Sequence, residues 1–142
     1  MITITYNEIY DKAFELASFE AGRGVQDEAL FNVIVLNERD RAFINSFADQ
    51  AAESLCSLLS FCLDDWEVGS GISFTFRTTC SLSATTKANR VKTQLIDAIV
   101  SLVMSKWLDN KLPDRAKSYA SMFTDMAGAI VSSVKRVKPR LA

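Results

Sequence analysis

The chain has 142 residues, 49% of them hydrophobic and 23% charged, with three cysteines and no histidine. That length suits one domain, long enough to bury about 68–70% of its unfolded surface around a single core, and the missing histidine excludes Ser-His-Asp and Cys-His catalysis and most catalytic zinc sites. Charge is unevenly placed: residues 1–71 carry 4 Lys/Arg and 13 Asp/Glu, a net of −9, whereas residues 72–142 carry 12 and 4, a net of +8. Opposite fields of that size attract, inside one subunit or between the acidic side of one copy and the basic side of the next, and they act chiefly on association rate and register.

In chain order, Thr5-Tyr6-Asn7-Glu8 has the form of a capping box, with Ile4 and Ile9 placed as a hydrophobic staple, so a helix is predicted to start at Tyr6. Ile9, Ala13, Leu16 and Ala17 give it one apolar face, and Gly22-Arg23-Gly24 ends it. Phe31 to Leu36, rich in β-branched residues, reads as a buried strand or a packed loop. Asn37 is a good N-cap for a long helix to about Leu63, on the order of 40 Å, with Phe43, Phe47, Ala51, Leu55, Leu58 and Cys62 as its inward stripe.

Gly69-Ser70-Gly71 breaks the helical pattern and the period changes to two. Ile72, Phe74, Phe76, Thr78, Cys80 and Leu82 share one face of a predicted strand or bent hairpin, roughly 36 Å if straight. A third helix follows over about 86–108, with Val91, Leu95, Ala98, Ile99, Leu102 and Met104 on its apolar side and Trp107 at its end. After the break at Asp109-Asn110-Lys111-Leu112, Pro113 suits the first turn of a last helix over 113–138, whose stripe is Ala116, Ala120, Phe123, Ala127, Ile130, Val134 and Val137. The expected fold is mainly α: three long helices, a short N-terminal helix and a β excursion around 72–82. It forms a single domain, with residues 1–36 as an N-terminal extension and 37–142 as the helical core. The core is expected around Phe47, Leu55, Leu58, Leu95, Ile99, Leu102, Phe123 and Ile130.

Cys56, Cys62 and Cys80 are an odd number in apolar surroundings without metal spacing, which fits buried free thiols and no disulfide. Asp64, Asp65 and Glu67 read as solvated surface rather than a cation site, and the glycines form no phosphate-cradling loop. The start of the chain lacks the basic and apolar regions of a secretory signal, and no unbroken run of about 20 apolar residues is present, so a soluble protein is expected. No catalytic, cofactor or metal residues are assigned and no small-molecule substrate or membrane partner is expected. Two basic clusters remain: Lys87, Arg90 and Lys92 at the start of the third helix suit an acidic partner surface, and Lys135, Arg136, Lys138 and Arg140 near the end suit their own helix terminus, a partner or nucleic acid. A long strand is not stable alone, and it pairs with itself, with residues 1–5 or 31–36, or across a subunit boundary. Ile72, Phe74, Phe76 and Arg77 are therefore expected, with Lys87, Arg90 and Lys92, at a subunit contact on a strand that projects from the helical body.

The order of these elements, the Asn37-Glu38-Arg39-Asp40-Arg41 opening of the long helix, and the Lys106-Trp107 helix end followed by Asn110-Lys111-Leu112-Pro113 resemble the small helical head–tail connector or neck proteins of tailed phages and prophages. The resemblance covers about residues 36–138. It implies a non-enzymatic ring component between portal and tail, with self-association or portal and tail proteins as partners and DNA passing through a channel. It also implies assembly in the bacterial cytoplasm and residence in the virion. The long N-terminal extension and the extended strand depart from that pattern, and a tail-completion component is equally compatible. The competing reading is a stand-alone helical adaptor whose groove binds a peptide.

Overall fold

The computed structural model describes residues 1–22, 28–77 and 85–135. Its elements are β1 (Ile2–Ile4), α1 (Tyr6–Gly22), α2 (Glu28–Ile34), α3 (Arg41–Leu59), β2 (Leu63–Glu67), β3 (Ile72–Phe76), α4 (Thr85–Leu108) and α5 (Pro113–Lys135), with 3₁₀ turns at Glu38–Asp40 and Ser60–Cys62 on either side of α3. The fold is mainly α with a small antiparallel sheet.

Local chemistry explains the starts. The Thr5 N–H donates to Glu8 Oε1 (2.9 Å) and the Glu8 N–H returns to Thr5 Oγ1 (3.2 Å), closing the capping box. That bonding holds the Glu8 carboxyl below its usual range, through the Thr5 backbone first and Lys92 second. Before α3, the Asn37 N–H donates to Asp40 Oδ2 (2.9 Å), and the Asp40 N–H donates to the Asn37 carbonyl. Residues 31–36, expected as strand or loop, instead belong largely to α2 and the bend after it. Its β-branched side chains are tolerated because Ile34 and Leu36 are fully buried, and packing overrides a weak propensity.

Helix α4 is the axis of the molecule. Val91, Leu95, Ile96, Ala98, Ile99, Val100, Val103, Met104, Trp107 and Leu108 are all buried, leaving little polar circumference. It packs against α1, α3, α5 and β1. Its end is pinned by the Trp107 indole N–H, which donates to the Ile34 carbonyl at 2.7 Å, and by the Lys111 ammonium, which lies 4.0 Å from the Trp107 ring centre and donates to the Trp107 carbonyl.

The sheet order is β1-β3-β2, all antiparallel, with Ile2 opposite Phe74 and Ile4 opposite Ile72 on one side, and Trp66 opposite Phe74 and Glu67 opposite Ser73 on the other. The β2–β3 turn needs Gly69, whose φ of +115° disfavours a side chain. The Tyr6 hydroxyl donates to Asp49 and lies 3.1 Å from the Gly69 carbonyl, tying α1, α3 and this turn together.

Two expectations are corrected here. The strand does not project from the body: β3 is the central strand, paired on both edges, with Ile72 and Phe74 buried in the core. β2, read from sequence as the end of a helix and a solvated acidic stretch, is one of its partners. The stripe of α3 is also rotated. Its buried residues are Ile44, Ala48, Ala51, Ala52, Leu55, Cys56 and Leu59, whereas Phe43 and Leu58 point outward and Phe47 is half-buried. Leu102 and Phe123 likewise only border the core, while Leu55, Leu95, Ile99 and Ile130 lie inside it. The expected continuation of the strand to Leu82, with Cys80, and of the last helix to 138 lies outside the described residues. Cys56 and Cys62 are free and buried, and burial pushes the Cys56 thiol up to about 12.

Candidate functional site

The residues expected at a subunit contact are not brought together. Ile72 and Phe74 face the core, and Phe76 stacks 6.5 Å from Phe74. Arg77 is exposed with its Nε 3.6 Å from Asp64 Oδ1. Arg90 is exposed on α4, and Lys92, two residues on and therefore on another side of the helix, has its Nζ 3.3 Å from Glu8 Oε2. The side chains of Lys87 and Lys135 and the whole of Arg136, Lys138 and Arg140 lie outside the described residues. Arg77–Asp64, Lys92–Glu8 and Arg115–Glu20 each join a base of the second half to an acid of the first within one chain. Part of the charge complementarity therefore closes inside the subunit. The sheet edges are poor templates for another chain: β1 has three residues, and β2 is bulged between Leu63 and Asp65 and carries Asp64, Asp65 and Glu67. Short length, a bulge and charge are the usual devices that blunt an edge.

Two apolar surfaces lie elsewhere. On α3, Phe43 is 60% and Leu58 49% exposed and Phe47 is half-buried, and in the 3₁₀ turn that follows Phe61 is 44% exposed. At about 100° per residue, positions 43, 47, 50, 54 and 58 fall within an arc of about 80°, so these side chains form one outward stripe with Gln50 and Ser54 in its middle. The stripe borders a shallow basin of about 330 Å³ lined by Phe47, Gln50, Leu102, Ser105, Lys106 and Asp109. The signal for an outward stripe was in the sequence: Ile44, Ala48, Ala51, Ala52, Leu55, Cys56 and Leu59 form a longer, uninterrupted apolar stripe on the opposite side of α3, and that is the one the core takes.

The second surface is a groove of about 420 Å³ between α1, α4 and α5, floored by Leu16, Phe19, Val100, Met122 and Met126. One end carries Lys12, whose Nζ is 3.3 Å from Asp97 Oδ1. The other end carries Arg115 and Tyr119, which hold a buried carboxylate behind them. Glu20, 2% exposed, accepts hydrogen bonds from Arg115 Nε and Nη2 (3.0–3.2 Å) and from the Tyr119 hydroxyl (2.8 Å). Burial first and Glu20 second push Tyr119 up to about 12, and the hydrogen bond to Glu20 raises Arg115. The charge of Glu20 is thus matched, and this cluster reads as a clasp between α1 and α5. Sequence alone did not reveal it, because the partners are 95 and 99 residues apart.

Among the described residues, no helix is long and apolar enough to cross a membrane. No protein-family model, curated protein or solved structure matches the chain.

Proposed function

We propose that this chain is a non-enzymatic assembly protein that works by joining subunits, its own copies first, in the manner of the head–tail connector, neck or tail-completion proteins its order of elements resembles. The observation that supports this reading is the outward face of α3. Scattered surface apolar residues are ordinary, but Phe43, Phe47 and Leu58 share the outer face of α3 on either side of Gln50 and Ser54, with Phe61 exposed in the turn that follows, and exposed apolar side chains grouped on one face suit an interaction surface. Portal or tail proteins are the further partners this reading implies, and the basic residues 135–140 would lie against DNA or an acidic neighbour.

A stand-alone adaptor is the second reading, supported by the groove between α1, α4 and α5. Its two methionines suit a site that adapts to a helical peptide. Light scattering over a wide concentration range separates the two. For an assembly protein, mass exceeds one chain and rises with concentration, Phe61→Arg returns it towards one chain, and Met122→Arg does not. A wild type that stays monomeric, and takes up a Leu-rich amphipathic peptide that Met122→Arg rejects, favours the adaptor.

A further inference from the structure

Resting on the assembly reading and naming one of its partners, we infer that the end of the molecule where α4 begins and α5 ends holds the phosphate backbone of a duplex nucleic acid. The positive charge of the second half gathers there. Residues 97–125 carry four bases and four acids and balance, whereas 85–96 carry three bases, 126–142 carry four, and neither stretch has an acid. Apart from Arg77, the whole excess therefore lies in the first half of α4 and in the second half of α5 with the residues after it. Helices α4 (24 residues) and α5 (23 residues) are joined by a short loop and pack along each other, so an antiparallel hairpin brings the first turn of α4 beside the last turn of α5. The Ser101 hydroxyl, 3.5 Å from the Met126 sulfur, ties the two helices midway. Five residues beyond Lys135 span at most about 18 Å, which keeps Arg136, Lys138 and Arg140 at that end.

The positive start of the α4 dipole and the negative end of the α5 dipole lie side by side and offset each other, so side chains set the sign of the field. The net charge of −1 does not cancel it, because in about 0.1 M salt fields are screened beyond roughly 10 Å. Lys92 is engaged by Glu8, but Arg90 is exposed and has no acidic partner among the described residues. The neighbouring surface favours phosphate over protein. On these turns the exposed residues include Asn89, Thr93, Gly128, Ala129 and Ser132, and no large apolar side chain is exposed among the described residues. Protein interfaces are anchored by buried aromatic and aliphatic side chains, whereas amide, hydroxyl and cationic donors among small residues suit phosphate oxygens. Neither stretch contains an aromatic residue to stack on bases, so the contact is to the backbone and is blind to sequence.

Fluorescence anisotropy of the full chain with labelled DNA and RNA duplexes of about 20 base pairs tests this, from about 50 mM salt upward. Binding to either duplex supports the contact, and the tighter one names the source. Log affinity should fall against log salt with a slope of about −4 to −6, the value for roughly four to seven neutralised phosphates. Lys87→Glu with Arg90→Glu, and separately Lys135→Glu with Arg136→Glu, should each weaken binding at least about tenfold and flatten the slope by about 2. Lys106→Glu with Lys117→Glu, the same change of charge at the balanced end of the hairpin, should change affinity less than about threefold. Circular dichroism of each variant confirms that its helices are kept. No binding of either duplex at about 50 mM salt, or a control pair as damaging as the test pairs, overturns the contact. If neither duplex binds and Lys87→Glu with Arg90→Glu instead lowers the mass seen by light scattering, this end faces the acidic side of a second copy: the assembly reading stands and this inference falls. A chain that is monomeric at every concentration and still binds a duplex loses the assembly reading alone.

Discussion

Helices α4 and α3 are both amphipathic to the eye, and they resolve differently. α4 is apolar around most of its circumference and is buried around most of it, so every plausible phase of its stripe lies in the core. α3 has two apolar faces, one continuous and one interrupted. The core takes the continuous one: Ile44, Ala48, Ala51, Ala52, Leu55, Cys56 and Leu59 pack inside while Phe43 and Leu58 look out on either side of Gln50 and Ser54. Periodicity reports that a face is apolar, and the face without polar gaps is the one that a tightly packed neighbour accepts.

The largest effect should follow truncation in α4. Leu95→Ala removes fully buried methylenes beside several elements and should cost about 2–5 kcal/mol in urea unfolding. A change under about 1 kcal/mol would deny α4 its central place.

Next comes alkaline pH. Tyr119 and Cys56 are both raised to about 12 and so are held neutral by the fold, from ordinary values of 10.0 and 9.0. A raised acid of this kind contributes stability that is whole below its unfolded value and lost as pH rises towards its folded value. The urea midpoint should therefore hold steady from pH 7 to about 9 and fall above it, less steeply in Tyr119→Phe. A flat profile to pH 11 would mean that the clasp with Glu20 does not shield the phenol.

Smaller still, Ala51→Leu should overpack the inner face of α3 and cost about 1–3 kcal/mol by the same measurement. Leu58→Ala, on the outer face of the same helix, should stay within about 0.5 kcal/mol for the isolated subunit. Reversal of that order would put the aromatic stripe back into the core.

Much of the fold was legible, for identifiable reasons. Thr5 and Glu8 stand at capping-box spacing, Gly69-Ser70-Gly71 turns the chain, and Pro113 opens α5, each a local signal that tertiary context had no cause to override. What escaped depended on distance. Nothing near Phe31 says that Ile34 and Leu36 will be enclosed and held helical, and nothing near Leu63 announces pairing with Phe76. Alternation over 72–82 signals a strand, of which Ile72–Phe76 is β3, yet its place between two partners makes it a core element rather than an arm. Of the stripe expected inside, Ala51, Leu55 and Cys62 are buried while Phe43 and Leu58 face out, and those outward side chains are the basis of the candidate surface.

The most direct test of the central claim, that the outer face of α3 is an assembly contact and its inner face is core, sets Leu58→Arg beside wild type by sedimentation velocity and circular dichroism over about a hundredfold range of concentration. The account expects wild type to grow heavier with concentration, and Leu58→Arg to remain one chain with the same helical signal and melting temperature at low concentration. Loss of helix and a collapsed melting temperature in Leu58→Arg, or a mass identical to wild type throughout, would contradict it.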